Sequence, residues 1–254
     1  MITIFMPVSR GDYLINIFNR LELLECDRQA TNLLVICDND KIYPQVRNLV
    51  ADSKFNDRLC VKSGYKLASR YSVEQRRLRI ADLKNLSKEL IKPCDYIFSL
   101  EDDTLIPSDA LKKLLKGYQQ YPHAGFIQGI ELGRWGIPYV GAWAANDIYN
   151  PTELVTSERQ EGLQPTDAGG FYCYLTRYGH YQHDYQPFDN NALGPDVEYG
   201  ISLRQQGLYN YTDWSVACAH YSSRQSEAIT LNNSDTKQIK MAKTDKGWRQ
   251  EVLK

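Results

Sequence analysis

The sequence predicts an α/β protein with one mostly parallel central sheet covered by helices on both faces. Short, nearly continuous apolar runs such as ITIFMPV and NLLVICDND alternate with segments whose apolar residues recur every three or four positions, as in amphipathic helices. Strands without polar alternation are typical of parallel sheets that are buried on both faces. The length of 254 residues, 43% of them hydrophobic, suits one large domain.

Strand and helix alternate along the first half of the chain. The predicted strands are ITIFMPV, NLLVICDND, LCVKSG and DYIFSL. The predicted helices are GDYLINIFNRLELLE, VEQRRLRIADLKNLSKELI and PSDALKKLLKGY, the last with Ser108 as its N-cap. Because ligands of such sheets bind beyond the carboxyl ends of the strands, we expect the loops at 7–10, 38–40 and 101–103 to open on one edge.

The second half of the chain changes character. Residues 125–185 are rich in Gly, Tyr and Trp with few helical periods, which predicts a smaller region of short strands and loops. The segment GPDVEYGISLRQQGL predicts a helix with Pro195 near its start and Gly207 as its stop. YNYTDWSVACAHY then predicts a strand or hairpin that ends at His220, and the remainder is polar and charged.

Composition excludes several classes of protein. The net charge of −1 and the pI of about 6.4 give no overall basic field, so nucleic acid is a disfavoured partner. The first residues, MITIFMPVSR, lack the basic start and the long apolar region of a signal peptide, and no run approaches the ~20 residues of a membrane span, so we expect a cytoplasmic protein. The six cysteines lie far apart without a CxxC pair, which predicts free thiols.

Three consecutive carboxylates, Glu101, Asp102 and Asp103, directly follow the apolar strand YIFSL. A solvated turn is the common interpretation of such a triplet, but here apolar segments flank it on both sides. Crowded acids disfavour each other's ionisation unless a cation compensates. Mg²⁺ and Mn²⁺ prefer oxygen ligands, and Mg²⁺ is often held by one or two carboxylates together with substrate phosphates. The triplet therefore predicts a divalent cation between the protein and a diphosphate.

These segments together resemble a known family. SLEDDT resembles the DxD motif of nucleotide-sugar glycosyltransferases with the GT-A fold, and GPDVEYGISLRQQGL resembles the acidic helix start of its family 2-like members, GEDxE followed by a helix and Arg. MPVSR and VICDND lie where that family places its nucleotide-binding loops. The resemblance spans residues 2 to 222. It implies one GT-A domain over 1–222, with a nucleotide-binding half (1–123), an acceptor-binding half (124–222), and a polar tail or lid over 223–254.

The resemblance also implies a metal site and a nucleotide site. Mn²⁺ or Mg²⁺ would be held by Glu101, which replaces the commoner Asp, by Asp103 and by His220, while Asp102 would face the ribose. Asp38 would accept a hydrogen bond from the base. The nucleotide would be lined by Pro7, Val8 and Arg10, and its diphosphate approached by Arg76, Arg77 or Arg79, for which a solvated helix face is an equally good interpretation.

The resemblance places the reacting groups at the late helix. Asp196 fits the base that takes the proton of an acceptor hydroxyl, with Glu198 as its substitute. Asp196 lies in the first helical turn, where the dipole favours a negative charge. Pro195 stands where many relatives carry Glu, which puts acceptor contacts of that Glu in doubt. Close approach to a sugar or an acceptor is expected at Asp167, Gly169 and Gly170.

Alternatives remain open at this stage. HYQHD brings His180, His183 and Asp184 together as a weak rival metal site. A retaining glycosyltransferase, a sugar-phosphate nucleotidyltransferase and a non-catalytic binding module share the same fold, although PVSRGD is a poor phosphate loop for the second. The leading expectation is a metal-dependent transferase, inverting, with a nucleoside-diphosphate sugar as donor. Its acceptor is left open between a glycan, a lipid-linked glycan and a hydroxymethylated DNA base.

Overall fold

The computed structural model describes residues 1–64, 72–132, 139–144, 152–155, 161–187, 194–220, 239–244 and 247–252. Within these ranges only the backbone is described at residues 132, 139–140, 143–144, 152–155, 220, 239–244 and 247–252.

Strands and helices alternate as expected in the first half. The strands are β1 (Ile2–Val8), β2 (Thr31–Cys37), β3 (Arg58–Lys62), β4 (Tyr96–Leu100), β5 (Thr104–Leu105), β6 (Ala124–Leu132), β7 (Tyr139–Ala144), β8 (Thr152–Val155), β9 (Leu163–Thr166), β10 (Ala168–Gly169), β11 (Cys173–Arg177), β12 (Tyr209–His220), β13 (Ile239–Thr244) and β14 (Gly247–Val252). The helices are α1 (Leu14–Glu22), α2 (Tyr43–Asp52), α3 (Val73–Leu90), α4 (Ala110–Gln120), α5 (Tyr178–Tyr181) and α6 (Pro195–Gln205).

One main sheet carries the described fold. Its order is β3-β2-β1-β4-β11-β6-β12-β5, with β9 paired to β12. The first four strands run parallel, β11 runs antiparallel to both of its neighbours, and β6 pairs in parallel with β12. A separate small antiparallel sheet joins β10, β7 and β8. The prediction of a mostly parallel, helix-covered sheet with a smaller strand-rich region is confirmed.

Burial explains why the apolar runs became parallel strands. Every residue of β2 is buried, and β1 lies between β2 and β4 with only its first and sixth residues partly exposed. Helix α1 buries Leu14, Ile17, Phe18 and Leu21, the stripe that its sequence predicts. Separate clusters of buried side chains cover the two faces of the sheet.

The structure adds two helices, α2 and the four-residue α5, and corrects one cap. Helix α2 has only two buried residues, Val46 and Val50, which is too short a stripe to be recognised as a helical period. Ser108 is not the N-cap of α4: Asp109 occupies that position without a side-chain cap hydrogen bond, and the Ser108 carbonyl accepts a hydrogen bond from the Glu25 N–H at 2.7 Å.

The second half of the chain contributes directly to the main sheet. Strands β6, β11 and β12 lie in it beside the first-half strands, so the two halves share one sheet. Where the sequence predicts a polar tail, β13 and β14 form an antiparallel pair. All six cysteines are free, as expected. Among the described helices, none combines the length and the hydrophobicity that crossing a membrane requires.

Candidate functional site

The three predicted loops open on the same edge of the sheet. Strands β1, β2 and β4 are parallel neighbours, so their carboxyl ends coincide. The Asp38 N–H donates to the Val8 carbonyl at 3.0 Å, and the Asn39 side-chain amide donates to the Ser9 carbonyl at 2.9 Å. The loop after β1 is thereby tied to the loop after β2, which confirms the expectation of a shared edge.

Asp102 anchors the loop after β1. One of its oxygens, Oδ2, accepts from the backbone N–H groups of Ser9 (2.7 Å) and Arg10 (2.8 Å) and from the Ser9 hydroxyl (3.3 Å). The other oxygen, Oδ1, accepts from Nη2 and Nε of Arg10 at 3.0 and 3.3 Å. These bonds fix the loop after β1 to the end of β4. Both oxygens thus have protein donors, and the ribose contact of Asp102 stays a prediction.

A cation from the chain itself lies among the crowded acids. Nη2 of Arg10 reaches Oδ2 of Asp103 at 2.5 Å as well as Oδ1 of Asp102. Burial by itself would lower the pKa of Arg10, but the charges of Asp102, Asp103 and Glu101 raise it overall. The guanidinium therefore supplies part of the positive charge that the sequence requires at this strand end.

Asp38 is buried at the end of β2 and pairs with Nε of Arg79 on α3. Burial raises the pKa of Asp38, the charge of Arg79 opposes that rise, and the charge of Asp102 adds to it. Its Oδ1 atom has no hydrogen-bond partner among the described residues. This oxygen is itself buried, so the hydrogen bond of Asp38 with a base stays a prediction, and Arg79 is engaged with a carboxylate. Arg77 is half-buried on α3, and its contact with a diphosphate stays a prediction.

Lys84 is a site residue that the sequence reading missed. Its side chain is 1% exposed on α3, and its ammonium donates to the Ser99 and Tyr174 hydroxyls, the latter at 3.2 Å. Burial holds the pKa of Lys84 well below its ordinary value, while the nearby charges of Glu101 and Asp196 raise it. The lysine thus lies within electrostatic reach of both the acid triplet and the predicted base.

Aromatic rings surround the Lys84 ammonium. Ring centroids of Phe5, Phe171, Tyr174 and Tyr181 lie 4.1 to 5.7 Å from it. Ring faces favour a cation at such distances. The signal in the sequence was a lysine three residues after Ala81, on the buried stripe of α3.

Replacing Lys84 by methionine is expected to leave the free energy of unfolding unchanged at pH 7 or to raise it by about 1 kcal/mol, because a buried ammonium is costly and Met fills similar volume. A lysine whose folded pKa lies below its unfolded value of 10.5 lowers stability at neutral pH, and this penalty shrinks as pH rises toward 10.5. The gain of Lys84→Met should therefore shrink over the same range in urea unfolding. Lys92→Met, at a 75% exposed side chain, is the control, and a gain that grows with pH would contradict the assignment.

Asp196 lies in the first turn of α6, after Gly194 and Pro195. A Cβ at position 194 would lie 2.2 Å from Oδ1 of Asp196, so any larger residue there would make this carboxylate rotate away from its present position. The carboxylate is half-buried and within electrostatic reach of Lys84. The charges of Asp196 and Glu101 therefore both act on the buried Lys84 ammonium.

Glu198 is engaged with His183. Its Oε2 lies 2.7 Å from Nε2 of His183, and both side chains are 14% exposed. His180 instead places Nδ1 3.1 Å from the Gly125 carbonyl, so the two histidines have different partners. Asp184 pairs with Lys88. The residues of the rival metal site therefore do not converge, since His180, His183 and Asp184 each have a different partner. No group of three or more His, Cys, Asp or Glu side chains able to hold a metal is found among the described residues, which include Glu101 and Asp103 but not the His220 side chain.

The predicted close-approach segment has internal partners. Oδ1 of Asp167 accepts from Nε of Arg204 at 2.8 Å. A Cβ on Gly169 would lie 1.6 Å from Oε1 of Gln128, and one on Gly170 would lie 2.5 Å from the Tyr172 ring. Packing against the chain's own side chains thus accounts for both glycines, and their contact with a ligand stays a prediction.

The predicted site residues Pro7, Val8 and His220 differ in how accessible they are to a ligand. Pro7 is half-buried at the end of β1, whereas the Val8 side chain is fully buried in the core and can offer a ligand no surface. The backbone of His220 pairs with Thr104, the residue after Asp103, although the His220 side chain lies outside the described part of the chain. Strand pairing therefore brings position 220 beside the acid triplet.

The chemistry of this edge suits a hard divalent cation. Glu101 and Asp103 present carboxylates, the oxygen ligands that Mg²⁺ and Mn²⁺ prefer. Glu101 is half-buried and Asp103 is 1% exposed, so a cation held between them would be largely removed from water. These donors fit the metal that the sequence reading expects.

The sheet order confirms the expected fold class, and solved structures share this fold. Among solved structures, the chain is similar to the mannosyltransferase PcManGT from Pyrobaculum calidifontis in complex with GDP-Man and Mn²⁺, with a TM-score of 0.61 and 12% identity over 89% of this chain and 58% of that one. It is also similar to S. aureus TarS 1-349 in complex with UDP-GlcNAc, with a TM-score of 0.57 and 10% identity over 91% of this chain and 61% of that one.

These likenesses establish a shared fold. The chain spans 58% and 61% of the length of the two neighbours. At the level of sequence, no protein-family model and no characterised protein matches it.

Proposed function

We propose that this protein is a metal-dependent glycosyltransferase that moves a sugar from a nucleoside-diphosphate sugar to an acceptor hydroxyl with inversion. The observation that carries the proposal is the set of acids at one edge of the sheet, where Asp38 follows β2 and the triplet of Glu101, Asp102 and Asp103 follows β4. Solved structures of the same fold hold GDP-Man with Mn²⁺ and UDP-GlcNAc. An acid triplet for the donor and a separate carboxylate for the acceptor are the two parts that such a transfer needs.

The nucleotide half of the proposal uses residues 1–123. Asp38 would accept a hydrogen bond from the base through its unpartnered Oδ1, and Pro7 and the backbone at Val8 would border the nucleotide. Arg77 would approach the diphosphate from α3. Asp102 would keep the loop after β1 in position while it faces the ribose.

Mn²⁺ or Mg²⁺ would be held by Glu101, Asp103 and His220. When bound, such an ion acts as a Lewis acid that stabilises the growing negative charge of the departing diphosphate. The chain's own contribution is the buried carboxylate of Asp103, which cannot be hydrated and therefore favours a cation partner.

The acceptor half of the proposal uses residues 124–222. Asp196 would take the proton of the acceptor hydroxyl as it attacks the sugar, and the α6 dipole favours the negative charge that this base needs. Glu198 would be the substitute base, although its bond to His183 makes it the less available carboxylate. Asp167, Gly169 and Gly170 would border the sugar or the acceptor, and residues 223–254 would form a tail or lid.

The cytoplasmic setting expected from the sequence also belongs to this proposal. Six free cysteines, three of them buried, suit a reducing compartment. The acceptor class stays open between a glycan, a lipid-linked glycan and a hydroxymethylated DNA base.

A screen of nucleotide sugars by thermal shift tests the donor assignment. In the presence of Mn²⁺, one donor is expected to raise the Tm, because a ligand at 100 times its Kd stabilises the folded state by about 2.7 kcal/mol. The same donor with EDTA, and Mn²⁺ without donor, are the controls. The absence of a Mn²⁺-dependent shift with every UDP, GDP, CDP and TDP sugar would contradict the proposal. The anomer of the transferred sugar then distinguishes inversion from retention.

A further inference from the structure

We propose that Arg10 is an intramolecular counter-ion of the acid triplet that competes with the divalent cation for Asp103. This inference rests on the metal site of the proposed function. It adds that the guanidinium occupies Oδ2 of Asp103, so that a cation bound by this carboxylate must displace Arg10 or lie directly beside its positive charge. Arg10 therefore weakens the intrinsic affinity of the site for the metal.

The contacts of one nitrogen carry the argument. Nη2 of Arg10 lies 2.5 Å from Oδ2 of Asp103 and 3.0 Å from Oδ1 of Asp102. The guanidinium therefore bridges two carboxylates of the triplet, and the charge of Glu101 also acts on it. A metal bound to the same Asp103 oxygen would face a positive group within direct contact, and like charges at that distance repel.

Exposure shows which partner can move. The Arg10 side chain is 45% exposed, whereas that of Asp103 is 1% exposed. An arginine at this exposure can return its charged end to water, while the buried carboxylate cannot follow it. The exchangeable member of the pair is therefore Arg10.

The loop does not depend on the Arg10 side chain for its attachment. The backbone N–H groups of Ser9 and Arg10 and the Ser9 hydroxyl still bind Asp102 when the guanidinium is removed. A variant at position 10 should thus retain the loop while it frees Asp103. Such a variant therefore tests the positive charge of Arg10 without changing the backbone hydrogen bonds that hold the loop.

Titration calorimetry with MnCl₂ and no nucleotide tests the inference. We expect Arg10→Met to bind Mn²⁺ roughly three- to tenfold more tightly than the wild type, because a partly exposed ion pair with the ligand oxygen no longer has to be broken. Arg10→Lys, which keeps a charge but loses the planar fork, should lie between the two. If Arg10→Met folds poorly, the comparison of Arg10→Lys with the wild type tests the inference.

Lys62→Met is the matched control. Lys62 ends β3 at the same sheet edge, its side chain is 47% exposed, and it pairs with Asp40 at 3.0 Å. The substitution Lys62→Met therefore removes one positive charge of similar exposure without changing a contact of the acid triplet. Its Mn²⁺ affinity should stay close to that of the wild type if the effect of Arg10 is local.

Each outcome decides between the inference and the function on which it rests. Tighter Mn²⁺ binding by Arg10→Met, with no gain in Lys62→Met, supports the competition, including the case in which Arg10→Met binds measurably and the wild type does not. Unchanged or weaker binding by both Arg10 variants, with Mn²⁺ binding that Asp103→Asn abolishes, overturns the inference and leaves the proposed metal site standing. If no protein binds Mn²⁺, with or without UDP or GDP, both fail. An equal gain in Lys62→Met means a general charge effect and also overturns the inference.

Discussion

Replacing Asp103 by asparagine is expected to lower metal-dependent turnover of the nucleotide sugar by at least about a thousandfold while the fold stays intact. The substitution removes the buried negative charge that is proposed to hold the cation, yet it keeps the size of the side chain. Asp102 retains its bonds to Ser9 and Arg10, so the loop after β1 remains attached. Donor hydrolysis with Mn²⁺ measures the loss, and circular dichroism with thermal melting checks the fold.

Asp40→Asn is the control for this experiment. Asp40 lies on the same sheet edge and pairs with Lys62, but its side chain is 64% exposed and lies outside the triplet. Turnover by this variant should remain near the wild-type rate. A rate near normal in a folded Asp103→Asn variant would refute the assignment of Asp103 as a metal ligand.

Replacing Asp196 by asparagine is expected to lower sugar transfer by at least about a hundredfold without weakening nucleotide binding. The amide cannot take a proton from the acceptor, and the proposed donor-binding residues lie on α3 and at the ends of β1, β2 and β4 rather than on α6. Affinity for UDP or GDP with Mn²⁺, measured by calorimetry, should therefore stay within about twofold of the wild type, which corresponds to less than about 0.5 kcal/mol. The contrast between the two measurements separates loss of the base from damage to the donor site.

Glu198→Gln provides the comparison on the same helix. Its amide can still hydrogen-bond with His183, so the contact between α6 and the segment after α5 is preserved. If Asp196 is the base, the loss in Glu198→Gln should be the smaller of the two. The reverse order would transfer the proton-accepting role to Glu198.

Much of the fold was predictable because its strands are buried on both faces. Continuous apolar runs made β1, β2 and β4 recognisable, and the rule for carboxyl ends placed their loops together. Helix α2 escaped notice because only Val46 and Val50 are buried. The cap at Ser108 was wrong because Ser108 and Asp109 are both preferred N-cap residue types, and their order in the sequence does not show which of them begins the helix.

The positions of the acidic residues in the candidate site could be predicted from the sequence, whereas those of Arg10 and Lys84 could not. The position of Glu101, Asp102 and Asp103 follows from local sequence, whereas the bond between Arg10 and Asp102 joins residues 92 positions apart. It depends on β1 pairing directly with β4, which no short motif encodes. The only signal for Lys84 in the sequence is that a charged residue falls on the buried stripe of α3.

The aromatic surroundings of Lys84 have a consequence for protein engineering. Phe5 and the lysine come from the first part of the chain, while Phe171, Tyr174 and Tyr181 come from the second. In a chimera that joins one protein's residues 1–123 to another protein's later residues, Lys84 and Phe5 would come from one protein and the other three rings from the second. Such a chimera should therefore keep Phe171, Tyr174 and Tyr181 from the same protein as Lys84. Replacing the acceptor-binding half would otherwise also replace part of the buried core around the lysine.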